Sequence, residues 1–497
     1  MDPPQEPELL TNSTTSKHQN HTPQPDGDFV GSEGGNSQRY TLASAAFWGF
    51  LTTQFLGAFN DNYFKQMVLL ICRSNATLTA GDGASAPDRQ WLAMTAFALP
   101  FVLLSGPGGF LSDRFSKQSV IVGSKIAEIL IMAVAFLILL IPGLNVDTQL
   151  IWLISVLCLM GAQSAIFGPS KYGILPELFV SDRLLPVNGA VQMTTFLAII
   201  FGTVCAGFAL DQIRSTLWIG GLIAVGIAVA GTIAALMIPK TRIAKPTLQI
   251  RAENFAVPAD VMRLVLQNRD LLKAILIASV FWFLGGVTQM AVNTLGTSTL
   301  GLNSTRTSLL VASIGFGIAA GCIVTGVMGK GGNGRRWVTA GAWLLFGSLL
   351  SIATLGSGWY GVPSGSGILD LNIVSSVLHA DRLEWSLRLN MILLGFAAGM
   401  FVVPVQVYLQ QAPPEDLKGR VLGVQNMITW IGILISAAYF GIGGVLLNWI
   451  FGPKGESQYQ WLIFISLAGV MLPICLLYRL PKVVVEKAET NAPPHPG

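Results

Sequence analysis

Between Leu42 and Leu480 the chain returns again and again to apolar runs of membrane-spanning length. A helix needs about 20 such residues to cross about 30 Å of hydrocarbon. On that criterion spans are expected near 43–72, 90–111, 119–142, 150–168, 188–210, 215–238, 271–295, 307–329, 337–356, 386–411, 420–447 and 460–480. Length alone would suggest about three soluble domains. Only 11% of the 497 residues are charged, however, against about 25% in a soluble domain. The expectation is therefore one all-α membrane protein with twelve transmembrane helices.

An even number of spans puts both termini on one side, and the lysines and arginines choose that side. Most of them fall in the segments that share a side with the termini, and seven lie between Lys240 and Lys273 alone. Both termini are thus expected in the cytoplasm, with a multi-pass chain in the cytoplasmic (inner) membrane. Residues 1–40 are polar and rich in Pro, Ser, Thr, Gln and Asn, which predicts a disordered tail. No charged segment followed by a short apolar run and a small-residue cleavage site precedes the first span, so no cleaved signal peptide is expected. The longest hydrophilic interruption, 239–270, divides the bundle into six-helix halves at 41–238 and 271–482, and 483–497 forms a second cytoplasmic tail. After Pro258 the linker places Val261, Leu264 and Val265 on one helical face, suited to the membrane surface. Basic residues are scattered among short loops, which speaks against nucleic acid. The five cysteines are dispersed without a CxxC pair, and none of the four histidines is near one, so neither a metal site nor a cofactor is expected.

Two segments repeat at half-bundle spacing. PELFVSDRLLPVNGAVQ (176–192) and PEDLKGRVLGVQN (414–426) both run from Pro-Glu to R-[L/V]-L-x-V-[N/Q], starting at Arg183 and Arg420. Parallel repeats of six helices are the architecture of major facilitator transporters, which bind substrate between the halves. The loop GGFLSDRFSKQS (108–119) resembles the signature loop of that superfamily at Gly109, Leu111, Asp113, Arg114 and Lys117. Ser116 and Gln118 depart from it. Gly109, Asp113, Arg114, Lys117 and Arg420 are therefore candidate gating residues, with a topology-fixing turn as the plainer reading. In the second half the corresponding loop, GVMGKGGNGRRW (326–337), carries Lys330 where an aspartate would sit.

FLGAFNDNYFKQMVLLI (55–71) puts charge inside a span. On a helix Gln54, Gly57, Ala58, Asp61 and Lys65 share one face. An Asp or Lys at mid-span costs about 2.5–3.5 kcal/mol, while an i,i+4 ion pair returns about 0.2–0.5 kcal/mol on an isolated helix in water. That stripe is expected to face a polar interior, either as a functional site or as a buried Asp61–Lys65 pair locking the fold. Asn62, Gln192, Gln289 and Asn293 add candidate lining groups, and Glu128, read as a lone acid at depth, could exchange a proton. Glu384 and Arg388 make an i,i+4 pair read as interfacial stabilisation.

GPSKYGILPE within 161–179, with AFNDN, the FW and Gln of FWFLGGVTQ (281–289) and PEDLKGRVLGVQN, resembles the lysophospholipid transporter branch of the major facilitator superfamily. The resemblance implies movement of lysophospholipid across a bacterial cytoplasmic membrane, with a separate acyltransferase as partner. No Gly-x4-Gly-Lys-Ser/Thr loop occurs, so the energy is expected either from a gradient, with Na⁺ or H⁺ as the coupling ion, or from the leaflet imbalance of the substrate itself. Asp61 matches the family's intramembrane aspartate and Lys171 the lysine of its PSKY-like segment. Lys65 stands where an apolar residue is expected in that family. Only the transporter part is matched, so no enzyme activity is expected. A lipid cargo also asks for a greasy slot beside the polar groups. The alternatives are an exporter of small amphipathic solutes or drugs with the same fold and, in another class, a non-transporting membrane receptor or scaffold.

Overall fold

The structure is a computed structural model, and the residues it describes are 43–78, 88–179, 181–213, 216–243, 259–328, 334–357, 380–413 and 418–481. The two expected tails, most of the linker and Lys330 lie outside them, as do the side chains of Gln192 and Arg420. All regular structure among the described residues is helical. The first set is α1 (Ala45–Leu78), α2 (Gln90–Arg114), α3 (Lys117–Leu140), α4 (Val146–Gly173), the short α5 (Leu175–Leu178), α6 (Ser181–Gln212) and α7 (Trp218–Leu236). After α8 (Ala259–Gln267) come α9 (Arg269–Thr294), α10 (Ser304–Met328), α11 (Gly334–Gly356), α12 (Arg382–Gln411), α13 (Lys418–Phe451), the short α14 (Gly455–Gln458) and α15 (Trp461–Leu477).

Ten of the described helices are long and apolar enough to cross a membrane. The 34-residue α1 carries Asp61, Lys65 and Arg73 within its length, and α15 is a shorter apolar helix of 17 residues. Large apolar side chains such as Leu103, Leu130, Ile151 and Trp449 are more than half exposed, while Gln54, Asn60, Gln66, Lys125 and Glu128 are buried. A soluble fold would reverse that arrangement; here the surroundings of the bundle are hydrocarbon.

Helix packing repeats. In the first set α1 packs on α6, α2 on α4, α3 on α7 and α3 on α4. In the second α9 packs on α13, α10 on α12, α11 on α15 and α11 on α12, the same four pairings six spans later. Without a hydrophobic drive between helices in lipid, small residues bring the backbones close. Gly317 and Gly321 of α10 lie against the backbone at Ile392 and Phe396 of α12, and Gly395 and Gly399 of α12 reciprocate against Ile314 and Ile318. A β-carbon at any of the four would collide with a neighbouring carbonyl.

Between the two sets, α6 packs on α10, α2 on α13 and α1 on α9. Val261 and Val265 of α8 are buried, and α8 packs on α9 and α13. The apolar face anticipated for the membrane surface is therefore taken up by the protein.

Candidate functional site

The polar stripe of α1 turns inward, but its members find separate partners. Gln54 donates to the Val191 carbonyl (3.1 Å) and the Thr194 hydroxyl (2.5 Å), which ties α1 to α6. Gly57 leaves the space that the Lys125 amine occupies. Lys125 forms an ion pair with Glu128 at 2.5 Å, both side chains being 1% exposed, and Asn60 donates to the other Glu128 oxygen at 2.8 Å. Glu128 is therefore not a lone acid. Three residues along α3 from Lys125, it lies within reach of the ammonium, and an unpaired carboxylate at this depth would carry a far larger desolvation cost.

Asp61 points to α4, where the Ser164 hydroxyl donates to its Oδ2 at 2.8 Å, while its buried Oδ1 has no hydrogen-bond partner. Lys65 does not pair with it. Its ammonium lies over the Phe97 ring of α2, 5.4 Å from the centroid. The locked Asp61–Lys65 ion pair is thus absent among the described residues. Lys171, buried near the end of α4, lies 5.1 Å from the centre of the Tyr172 ring. The charges of Lys65, Lys125, Lys171 and Glu128 all act on Asp61 or on one another, so these residues form one electrostatic group inside the first set. Asn62 does not join it, because its amide donates to the Ala58 carbonyl of its own helix.

Gln289 and Asn293 stand elsewhere, in a hydrogen-bond chain that crosses between the two sets. Gln289 donates to Gln66 (3.1 Å), Gln66 to Asn293 (2.9 Å), Asn293 to Gln90 (2.9 Å), and Gln90 to Asp88 (2.8 Å) and Thr294 (3.1 Å). Arg73 faces Asp88 at 3.6 Å and donates to Ser298 (2.6 Å), which a wide π turn over Leu295–Thr299 presents at the end of α9. The Asp88 amide reaches Glu456 of α14 at 3.5 Å, and Asn448 also donates to Glu456, at 3.4 Å. Burial, then the adjacent Asp88 carboxylate, pushes the Glu456 carboxyl up to about 7. Asp211 at the end of α6 accepts from the amides of Ser304 (3.1 Å) and Thr305 (2.6 Å), and so caps α10 of the other set. Gly207 lies directly on Ser304 and Ser308. Between α2 and α13, Phe101 stacks on Trp430 with ring centres 3.5 Å apart, and Phe97 meets Trp430 edge-on at 6.1 Å.

These crossings share the end of the bundle where Arg73, Asp88, Asp211 and Glu456 stand, and run inward from it to Gln66 and Trp430. At the opposite end, Lys117 pairs with Glu177 of α5 and Ser116 meets Thr241 at 3.2 Å, both within the first set. Asp113 and Arg114 close α2 there and neither is free, and Gly109 has open space beside it. Arg306 and Arg388 grip the two oxygens of Glu384, which is wholly buried. That pair is a clamp between α10 and α12, not an interfacial contact.

An apolar cavity of about 330 Å³ opens between α1, α6 and α7, lined by Phe55, Phe59, Tyr63, Phe208 and Ile223 among others. It lies along the stripe of α1 that faces away from Asp61, so the greasy slot anticipated beside the polar groups is on the other side of the helix. Ser164, Gln66, Gln90, Asp88 and Trp430 went unread in the sequence. Ser164 lies four residues before GPSKYGILPE and Gln66 adjoins Lys65, and both are polar residues inside apolar runs.

The sequence profile of the Major Facilitator Superfamily matches residues 40–437. The lysophospholipid transporter LplT of Salmonella paratyphi B is 27% identical over 408 residues, covering 80% of this chain and 88% of that protein. The Salmonella typhi protein of the same name matches equally. Among solved structures, the nucleoside transporter NupG superposes with a TM-score of 0.59 at 14% identity, over 86% of this chain and 99% of that one. A POT family transporter in complex with a thioalcohol-conjugated peptide gives the same score and identity, over 86% and 95%. The chain belongs to the major facilitator superfamily and is a membrane transporter, not an enzyme.

Proposed function

We propose that this transporter moves a lysophospholipid, a lipid with one acyl chain and a phosphate head group, across the cytoplasmic membrane by alternating access. The observation that carries the reading is the charge group inside the first set, in which Lys125, Glu128 and Lys171 are buried and Asp61 and Lys65 half-buried. Three lysines (Lys65, Lys125, Lys171) stand with two carboxylates (Asp61, Glu128), which leaves one positive charge in the interior. Lys65 and Lys171 rest on aromatic rings with no carboxylate in ion-pair range among the described residues, so a phosphate has two cations to meet. Similarity to LplT over most of the chain supports the lipid as cargo.

In this reading α1 and α15 join the ten apolar helices to make twelve spans, both termini are cytoplasmic, and the Asp88 end faces outward. The conformation is then closed outside. Asp61, with one oxygen unsatisfied, is the site at which Na⁺ or H⁺ couples. An acyltransferase acting on the delivered lipid is the partner this reading implies. Following labelled lysophospholipid between leaflets of reconstituted vesicles, with and without Na⁺ and pH gradients, tests it. Wild type is expected to give gradient-dependent flux and Asp61→Asn at least tenfold less. Absence of flux under every condition sinks the lipid assignment, and flux indifferent to gradients and to the substitution sinks the coupling role.

A further inference from the structure

Lys65 and Trp430 are on different halves of the molecule, yet one side chain separates them. Phe97 receives the Lys65 ammonium on its face, at 5.4 Å, and meets Trp430 edge-on at 6.1 Å and Phe101 at 5.5 Å. Phe101 in turn lies flat on Trp430, with planes 9° apart. That stack is the contact between α2 and α13 farthest from the Asp88 end among the ring contacts of these helices. Nearer that end, Trp91 of α2 lies on the backbone of Gly441. The stack is therefore a contact between the halves at the depth where the charge group begins. A ring quadrupole holds an ammonium more weakly than a phosphate oxyanion does. An oxyanion arriving at this group takes Lys65 from Phe97.

We propose that Lys65 is a specificity-determining residue for a phosphate-bearing head group, and that Phe97 transmits its engagement to the Phe101–Trp430 stack joining the halves. The proposal rests on the transport reading above and adds which residue selects the head group and how its engagement reaches the other half. Cargo without an oxyanion leaves Lys65 on Phe97, the ring stays fixed, and the halves stay joined. Cargo with one frees Phe97, and the stack loosens.

Nitroxide labels on Leu103→Cys and Ile435→Cys, two exposed positions on α2 and α13, report the separation of these helices by pulsed EPR. The full-length chain is used in vesicles, with its native cysteines replaced by alanine. The probes are lysophosphatidylglycerol, glycerol phosphate and the uncharged one-chain dodecyl maltoside. Lysophosphatidylglycerol is expected to lengthen the separation, Lys65→Arg to respond alike, and Lys65→Met to need about tenfold more lipid. Dodecyl maltoside is expected to change nothing at equal concentration. A response to glycerol phosphate supports the proposal with a soluble phosphate as the source, and silence there with a lipid response supports it with a lipid. Phe97→Leu keeps Lys65 but cuts the transmission, so it is expected to bind lysophosphatidylglycerol yet show no lengthening. Equal responses in wild type and Lys65→Met overturn the proposal, as does a wild-type response in Phe97→Leu or no response to any phosphate compound. A Lys65-dependent response without lipid flux instead sinks lysophospholipid transport and leaves the proposal standing.

Discussion

At the scale of single residues, the interior of the first set contains charges whose partners decide their meaning. Lys125 and Glu128 satisfy each other, with Asn60 completing the second carboxylate oxygen. Breaking such a pair on one side leaves an uncompensated buried ion, which costs about 3–5 kcal/mol. Glu128→Gln is therefore expected to lower the melting temperature markedly in detergent, and the double change Lys125→Met with Glu128→Leu to restore much of it. Equal melting of the single and double variants would show that the pair is not what holds α3 in place. The positions of these charges were legible in the sequence because any ionisable residue in an apolar run is conspicuous. Their pairing was not, since Asp61–Lys65 at i,i+4 and Lys125–Glu128 at i,i+3 satisfy helical spacing equally well. What separated them was Phe97 on a third helix, whose ring offers Lys65 a place without an acid.

At the scale of helices, α10 and α12 meet through Gly317, Gly321, Gly395 and Gly399, with backbone against backbone. Gly321→Ala puts a methyl group into the Phe396 carbonyl, and overpacking of this kind costs about 1–3 kcal/mol. Gly326, on the same helix, has nothing within reach of a β-carbon. The expected outcome is a lower melting temperature for Gly321→Ala and an unchanged or slightly higher one for Gly326→Ala, because alanine favours helix. Periodicity and run length made the helices readable, but not their contacts. The i,i+4 glycines of 317–321 and 395–399 were visible as letters, yet nothing in one sequence said that the two pairs face each other.

At the scale of the whole molecule, the joined end is where pH acts. Glu456 faces Asp88, Arg73 and Asn448, and its carboxyl sits near 7 in this conformation against an ordinary value of 4.5. Once the end opens and Glu456 meets water, it returns toward that ordinary value. Between the two values the joined form keeps a proton that the open form has lost, so lowering the pH through 7 favours joining and raising it favours opening. Spin labels across this end are expected to show a larger open population at pH 8 than at pH 6, with the difference gone in Glu456→Gln. A pH response that survives the substitution would assign the titration to another group. Which end is joined was not written in the sequence, because the alternating access proposed above requires one chain to support both arrangements.

Asp211 has a consequence for how such a molecule can be taken apart. The first turn of α10 receives its cap from α6, on the other half of the chain. Neither half is then a self-sufficient module in this conformation. A second half made alone would begin α10 with two bare amides, and a first half made alone would lack the two amides that Asp211 caps. Recombining halves from different members of the superfamily therefore requires matching this one residue to its helix start, however well the remaining surfaces agree.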